Sequence, residues 1–189
     1  AGEPDSIFLE IFFKALKKNK YKSPLVLICC KKNLEQQMIK FNFKKDLRVL
    51  KNFELMKFKL DNKKINLIDV NYIKSLNEKK NKKIVINYIK KSFDIAFRLI
   101  KDEFTYKLIN GPINKKNFLN KKFLGVTEYI SNNFKQKKIG MLIYNKNLSV
   151  CPLTTHLPIK LVAKKITKKL INEKIEIINN FYKKNMKFK

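Results

Sequence analysis

Three short motifs of the 189-residue chain carry the residue types that could bind a ligand. Gly111–Lys116 (GPINKK) combines a glycine, which allows close backbone approach, with two lysines that could attract an anion. Gly125–Glu128 (GVTE) offers Thr127, a candidate helix cap whose hydroxyl could also face a phosphate. Thr154–Pro158 (TTHLP) holds His156, the only histidine. Taken alone, each motif is more often an ordinary turn, a helix cap or a structural histidine than a ligand site.

Other signatures of catalysis are missing from the sequence. It contains no G-x-G-x-x-G, P-loop, H-E-x-x-H or nucleophile elbow. Cys29 and Cys30 lie in an apolar run and are expected in the core, and with Cys151 they make no disulfide framework. There is no signal peptide and no apolar run near the roughly 18 residues of a membrane-spanning helix. A reduced, cytoplasmic protein without a membrane partner is predicted.

The net charge of +29 raises the question of nucleic acid. Only Arg48 and Arg98 are arginines among 44 basic residues, and the lysines are spread along the whole chain. Base and phosphate recognition relies heavily on the planar arginine fork, so the composition favours a solvated lysine surface. A basic α/β nucleic-acid-binding module remains the alternative.

Helical periodicities alternate with short apolar runs, which is typical of an α/β fold around a mostly parallel sheet. Ligands of such sheets bind beyond the carboxyl ends of strands, where all three motifs are expected. The predicted helices are Ile7–Leu16, Lys32–Phe41, Lys82–Lys101, Thr127–Phe134 and Ile159–Lys184, the last interrupted with Thr167 as cap. The predicted strands are Pro24–Cys30, others within Leu47–Val70, Tyr106–Asn110, Ile139–Ile143 and Leu148–Leu153.

Taken in order, four motifs give the chain a family resemblance. Gly2-Glu3-Pro4 precedes the first helix, and GPINK, GVTE and TTHLP follow in turn. With the helical tail after TTHLP, this order resembles the 4-hydroxythreonine-4-phosphate dehydrogenases of pyridoxine 5'-phosphate biosynthesis. The resemblance covers the whole chain but only part of the family's length.

The resemblance implies a fold, a reaction and a metal. The fold is a sandwich like that of isocitrate and isopropylmalate dehydrogenases, with residues 1–189 as a partial two-lobed enzyme lacking the C-terminal part. Family members are homodimers that share the active site between subunits. They oxidise 4-phosphooxy-L-threonine at C3 with NAD or NADP, and the product loses carbon dioxide to give 3-amino-2-oxopropyl phosphate.

Three histidines of the family hold a divalent metal (Zn, Mg or Co), and His156 matches the first of them. The other two would lie beyond Lys189, so this chain alone is predicted to be inactive.

The sequence departs from the family pattern at two positions. Val126 stands where the family usually has a substrate-binding histidine, whereas the substrate-binding threonine carries over as Thr127. Asn114 occupies a position that is often histidine, so Gly111, Asn114 and Lys115 are assigned only a general role as a ligand loop. Because valine cannot form a side-chain hydrogen bond, a relative acting on another phosphorylated hydroxy acid is a further alternative.

Overall fold

The computed structural model describes residues 2–51, 59–120, 122–136, 138–145 and 147–186. The chain divides into two compact units, Ala1–Asn120 and Lys121–Lys189. They are called the N-terminal unit and the C-terminal unit below. Part of the predicted strand region Leu47–Val70 falls on residues 52–58, which lie outside the described residues.

A parallel sheet of three described strands forms the centre of the N-terminal unit. The strands β1 (Val26–Cys29), β2 (Leu47–Val49) and β3 (Ile65–Asp69) lie in the order β1-β3-β2, with both pairings parallel. The central strand β3 is buried from Ile65 to Ile68, as a strand covered on both faces must be. The predicted buried strand within Pro24–Cys30 and the mostly parallel sheet are both confirmed.

Four helices of the N-terminal unit agree closely with their apolar periodicity. They are α1 (Phe8–Lys18), α2 (Lys31–Lys40), α3 (Glu78–Lys101) and α4 (Lys115–Leu119). The helix α1 buries Phe13, whose ring stacks on Phe43 with centroids 4.5 Å apart. The helix α3 begins four residues before the predicted Lys82, because the side chain of Asn77 accepts a hydrogen bond from the Lys80 amide at 3.0 Å.

The described helices of the C-terminal unit are α5 (Val126–Asn133), α6 (Ile159–Lys165) and α7 (Lys168–Asn185). The predicted break in the tail is confirmed, since the Thr167 hydroxyl caps α7 by accepting from the Leu170 amide at 3.2 Å. None of these three helices buries a residue. Among the described residues of either unit, no helix is long and apolar enough to cross a membrane.

Three predicted strands are wrong. The segment Tyr106–Asn110 is irregular, with Tyr106 and Ile109 about three-quarters exposed (73% and 75%). The segments Ile139–Ile143 and Leu148–Leu153 contribute a single antiparallel bridge between Ile143 and Val150. Apolar runs form strands only where extended pairing and a covering layer are available, and among the described residues these segments make no ladder longer than that one bridge. The motifs at residues 111 and 156 therefore follow loops, not the strand ends that the sequence suggested.

The cysteines were interpreted correctly. Cys29 and Cys30 are buried and free, and Cys151 is half-buried and free. The thiol of Cys30 donates to the Tyr72 carbonyl at 3.7 Å, and its amide donates to the Tyr88 hydroxyl at 3.3 Å. Cys29 belongs to the hydrophobic core that includes Phe13 of α1 and Leu34 of α2, and Cys30 packs beside Tyr72 and Tyr88, so both cysteines are core residues.

Candidate functional site

The first motif of the N-terminal unit docks against the start of the chain. The Glu3 amide donates to the Pro112 carbonyl at 3.0 Å, and the Asn114 amide donates to the Glu3 carboxylate at 2.8 Å. These two bonds join the Gly2-Glu3-Pro4 turn to the GPINKK loop, which is far away in sequence. Because backbone amides attract anions, the loop binds a carboxylate of its own chain.

Close packing explains why residue 111 is glycine. Gly111 is buried, and a Cβ atom placed there would lie 2.6 Å from the Phe8 ring and 3.0 Å from the Gly2 Cα atom. No side chain fits without moving α1 or the opening turn. The glycine that was predicted to let a ligand approach therefore lets two segments of the backbone approach each other.

Asn114 has a structural task at the start of α4. Its side chain accepts a hydrogen bond from the Asn117 amide at 3.1 Å, while Lys115 is exposed at the first position of the helix. Asparagine is one of the residues preferred at the N-cap of a helix, so the sequence did contain a signal for this role. The role of Gly111, Asn114 and Lys115 as a ligand loop stays a prediction.

The N-terminal unit also contains a cavity of about 300 Å³ between the opening turn and α3. Its polar wall includes Glu3, Asp5, Glu78 and Lys82, and its apolar wall includes Ile89. None of the residues predicted to bind a ligand lines this cavity.

The second motif, GVTE, forms the start of α5 in the C-terminal unit. Gly125 is the N-cap, with no side-chain capping bond, and Val126 is the first helical residue. The predicted cap at Thr127 is wrong, because α5 begins one residue before it and the glycine takes the capping position. The Thr127 side chain is exposed and Val126 is half-buried.

The third motif, TTHLP, places His156 near Gly125 at the start of α5. A Cβ atom built on Gly125 would lie 3.9 Å from the Nε2 atom of His156, so the imidazole approaches the start of α5. The residue is exposed, and its backbone is left-handed, with φ of 57°. Histidine adopts this conformation more often than most residues that carry a Cβ atom. The structure thus brings GVTE and TTHLP together.

Glu128 completes this cluster and was overlooked as a site residue. A Cβ atom on Gly125 would lie only 2.7 Å from its Oε2 atom, which is fully buried and has no hydrogen-bond partner among the described residues. The sequence offered a weak signal, a glutamate at the third position of a helix, which usually indicates capping.

A divalent cation fits one side of this cluster. An imidazole nitrogen and a carboxylate oxygen, from His156 and Glu128, are both donors that such cations accept. Within the described ranges no group of three or more His, Cys, Asp or Glu side chains could hold a metal. His156 and Glu128 are therefore donors of a suitable type but too few to form a metal site by themselves.

Comparison with known families supports the motif resemblance. Residues 20–189 match the family described as pyridoxal phosphate biosynthetic protein PdxA. The chain belongs to this family. Its matched region includes the GPINKK, GVTE and TTHLP motifs, so the C-terminal cluster lies within the PdxA-like part of the sequence.

Individual proteins named 4-hydroxythreonine-4-phosphate dehydrogenase are also similar to this chain in sequence and in structure. A 4-hydroxythreonine-4-phosphate dehydrogenase from Sulfurihydrogenibium sp. (strain YO3AOP1) is 29% identical over 185 residues, which cover 96% of this chain and 56% of that protein. The crystal structure of the enzyme of this name from Klebsiella pneumoniae superposes with a TM-score of 0.72 at 18% identity, covering 96% of this chain and 56% of the other. The one from Burkholderia phymatum gives 0.72 at 20% identity, covering 93% and 54%.

These structures establish the α/β fold with its small parallel sheet as PdxA-like. The chain spans little more than half the length of the relatives it matches.

Proposed function

We propose that the protein expressed from the complete reading frame is a 4-hydroxythreonine-4-phosphate dehydrogenase. It would oxidise 4-phosphooxy-L-threonine at C3 with NAD or NADP and a divalent metal, in pyridoxal phosphate biosynthesis. The observation that carries the proposal is the family match over residues 20–189, within which GVTE and TTHLP meet at Gly125.

The proposed reaction has two balanced steps. The C3 hydroxyl loses its proton, and the hydrogen on C3 leaves as hydride to the oxidised nicotinamide, which gives a ketone and NADH or NADPH. The bond from C2 to the carboxylate then breaks, carbon dioxide leaves, and the electron pair forms an enolate. Protonation of that enolate gives 3-amino-2-oxopropyl phosphate.

The chain's own residues contribute binding and orientation. His156 would hold the cation through its imidazole, and the exposed Thr127 hydroxyl would hydrogen-bond the substrate. A divalent cation (Zn, Mg or Co), when bound, supplies a Lewis acid for the negative charge that develops on substrate oxygen. Gly111, Asn114 and Lys115 would form a ligand loop, with the exposed Lys115 ammonium attracting phosphate.

The remaining features of the assembled enzyme are proposed from the family resemblance. They are a homodimer whose active site is shared between subunits, a cytoplasmic location, and a sandwich of the isocitrate and isopropylmalate dehydrogenase type. Residues 1–189 would be part of its two lobes. We propose no membrane or nucleic-acid partner.

The test is an assay of reduced nicotinamide formation. The protein from the complete reading frame is mixed with 4-phosphooxy-L-threonine and NAD or NADP, with and without a chelator. We expect turnover that the chelator abolishes and added metal restores, and no turnover by the 189-residue chain alone. Absence of turnover with every combination of nucleotide and metal would reject the proposed reaction.

A second candidate substrate class is favoured by one observation. Val126 occupies the first position of α5, directly beside the Gly125 cluster, and cannot donate or accept a hydrogen bond. The enzyme would then act on a different phosphorylated hydroxy acid. Val126→His should shift preference toward 4-phosphooxy-L-threonine, measured as the ratio of kcat/KM values for the two substrates. An unchanged ratio would remove this candidate.

A further inference from the structure

The carboxylate of Glu128 poses a physical problem within the C-terminal unit. Its Oε2 atom is fully buried and accepts no hydrogen bond from any described residue. A carboxylate is ionised near neutral pH and loses strong hydration when it is buried, so it normally gains a protein donor or a cation in exchange. The unpaired oxygen therefore requires an explanation.

Helix capping does not supply that explanation. Glu128 lies in the first turn of α5, where the helix dipole favours a negative charge. In a capping box its carboxylate would accept from the Gly125 amide, yet no side-chain capping bond is formed there. The dipole favours a solvated carboxylate at this position equally well and gives no reason to bury one oxygen.

The position of the oxygen indicates a partner that is not a residue of this cluster. A Cβ atom on Gly125 would meet Glu128 Oε2 at 2.7 Å and His156 Nε2 at 3.9 Å, so both polar atoms lie close to the start of α5. No direct hydrogen bond joins the two atoms in the described structure. A basic nitrogen and an unpaired anion that converge without bonding suit a third group of positive charge between them.

The backbone of His156 is compatible with this interpretation. Its φ of 57° places a bulky residue in the left-handed region, which is unfavourable for a residue with a Cβ atom. The exposed ring makes no hydrogen bond that would offset this cost within the described structure. Asn42, Glu103, Asn120 and Lys135 share this backbone region, so the conformation does not by itself mark a ligand site.

We propose that Glu128 is a positioning residue for the divalent cation at His156. Its carboxylate accepts a hydrogen bond from water coordinated to that cation, and its negative charge stabilises the cation itself. This role rests on the proposed function for His156 as a metal ligand, but it adds a residue from the GVTE motif. It also explains Gly125, since any larger residue there would displace the carboxylate.

The single histidine provides a selective probe of this site. Imidazole signals in NMR spectra of the 189-residue chain arise from His156 alone, so titration with Zn²⁺ reports this site even if thiols bind zinc elsewhere. The variants are Glu128→Gln and, as a control, Glu173→Gln, which removes the same charge from α7. We expect Glu128→Gln to raise the Zn²⁺ dissociation constant about 10- to 100-fold and Glu173→Gln to leave it unchanged.

Thermal unfolding of the same variants separates positioning from structural support. Because Glu128→Gln removes an unpaired buried charge, its melting temperature should equal or exceed that of the unmodified chain. A lower melting temperature with unchanged zinc affinity would make Glu128 a structural residue and overturn the proposal. An imidazole that responds to zinc equally in both variants would overturn it while leaving the proposed function intact. No response in the unmodified chain would overturn the proposal for Glu128, whereas the proposed function is judged by the turnover assay of the complete protein.

Discussion

The two units of this chain differ in how they bury apolar surface. All hydrophobic side chains found buried in the described residues, from Leu9 to Leu119, belong to the N-terminal unit. There they pack around a parallel sheet and α3. In the C-terminal unit α5, α6 and α7 bury none of their residues, and Ile159 is 91% exposed.

The residues that stabilise the fold and the residues of the candidate site therefore lie in different parts of the sequence. Burial of apolar area is the main favourable term in folding, so the N-terminal unit should account for most of the free energy of unfolding. The C-terminal unit holds His156, Glu128 and Thr127 near Gly125 with little core beneath them. Sites that must admit a ligand are often found in such low-stability regions.

The largest expected effect concerns two phenylalanines, one on a helix of each unit. Phe93 on α3 is 1% exposed and contacts Phe97 and Phe118, whereas Phe181 on α7 is 41% exposed. Phe93→Ala should lower the free energy of unfolding by about 3–5 kcal/mol, and Phe181→Ala by less than about 1 kcal/mol. Urea unfolding monitored by circular dichroism measures both, and similar losses would contradict the division between the units.

A smaller and more selective effect is expected at two glycines. Gly111→Ala forces a Cβ atom to within 2.6 Å of the Phe8 ring, which should cost about 1–3 kcal/mol of stability. Gly125→Ala meets only the flexible end of Glu128, so its cost should stay below about 1 kcal/mol. Zinc affinity should show the opposite order, weakened by Gly125→Ala and unaffected by Gly111→Ala. If the two variants lost the same stability and the same zinc affinity, the proposed difference between the two glycines would be refuted.

The smallest expected effect is a loss of stability at alkaline pH. Burial raises the pKa of the Cys29 thiol far above its ordinary value of 9.0 and likewise raises the pKa of Tyr88 above 10.0. Above pH 9 the unfolded chain loses these protons while the folded chain keeps them, so stability falls as pH rises, by at most about 1.4 kcal/mol per pH unit and group.

Urea unfolding between pH 8 and pH 11 measures this slope. Cys29→Ala should reduce the slope, whereas the matched thiol removal Cys151→Ala in the other unit should not. A slope that both variants alter equally would show that the buried thiol is not its source.

Local signals in the sequence were sufficient for much of the fold. The Thr167 cap and the break it causes follow from a few adjacent residues, and the buried strand within Pro24–Cys30 follows from one apolar run. The wrong strands, such as Tyr106–Asn110, had similar apolar content but form no strand in the described part of the chain. Strand pairing is a non-local property, which a single run of residues does not contain.

The residues of the candidate site likewise fall into those identified from local motifs and those whose role depends on non-local contacts. His156 and Thr127 were identified because short motifs carry them, and the motifs do meet in the structure. Glu128 was missed because its importance depends on the TTHLP loop lying over Gly125, a contact between segments almost thirty residues apart that leaves its oxygen buried. The structural requirement for glycine at position 111 was also missed, because it depends on packing against Phe8 and Gly2, which are far away in sequence.

The most direct test of the account replaces His156 by asparagine in the protein expressed from the complete reading frame. Asparagine tolerates the left-handed backbone of this position, so the variant should fold and melt normally. The account predicts that kcat/KM for 4-phosphooxy-L-threonine falls at least about 100-fold and that added metal does not restore it. A kcat/KM within about twofold of the unmodified protein would contradict the central claim that His156 binds the catalytic cation.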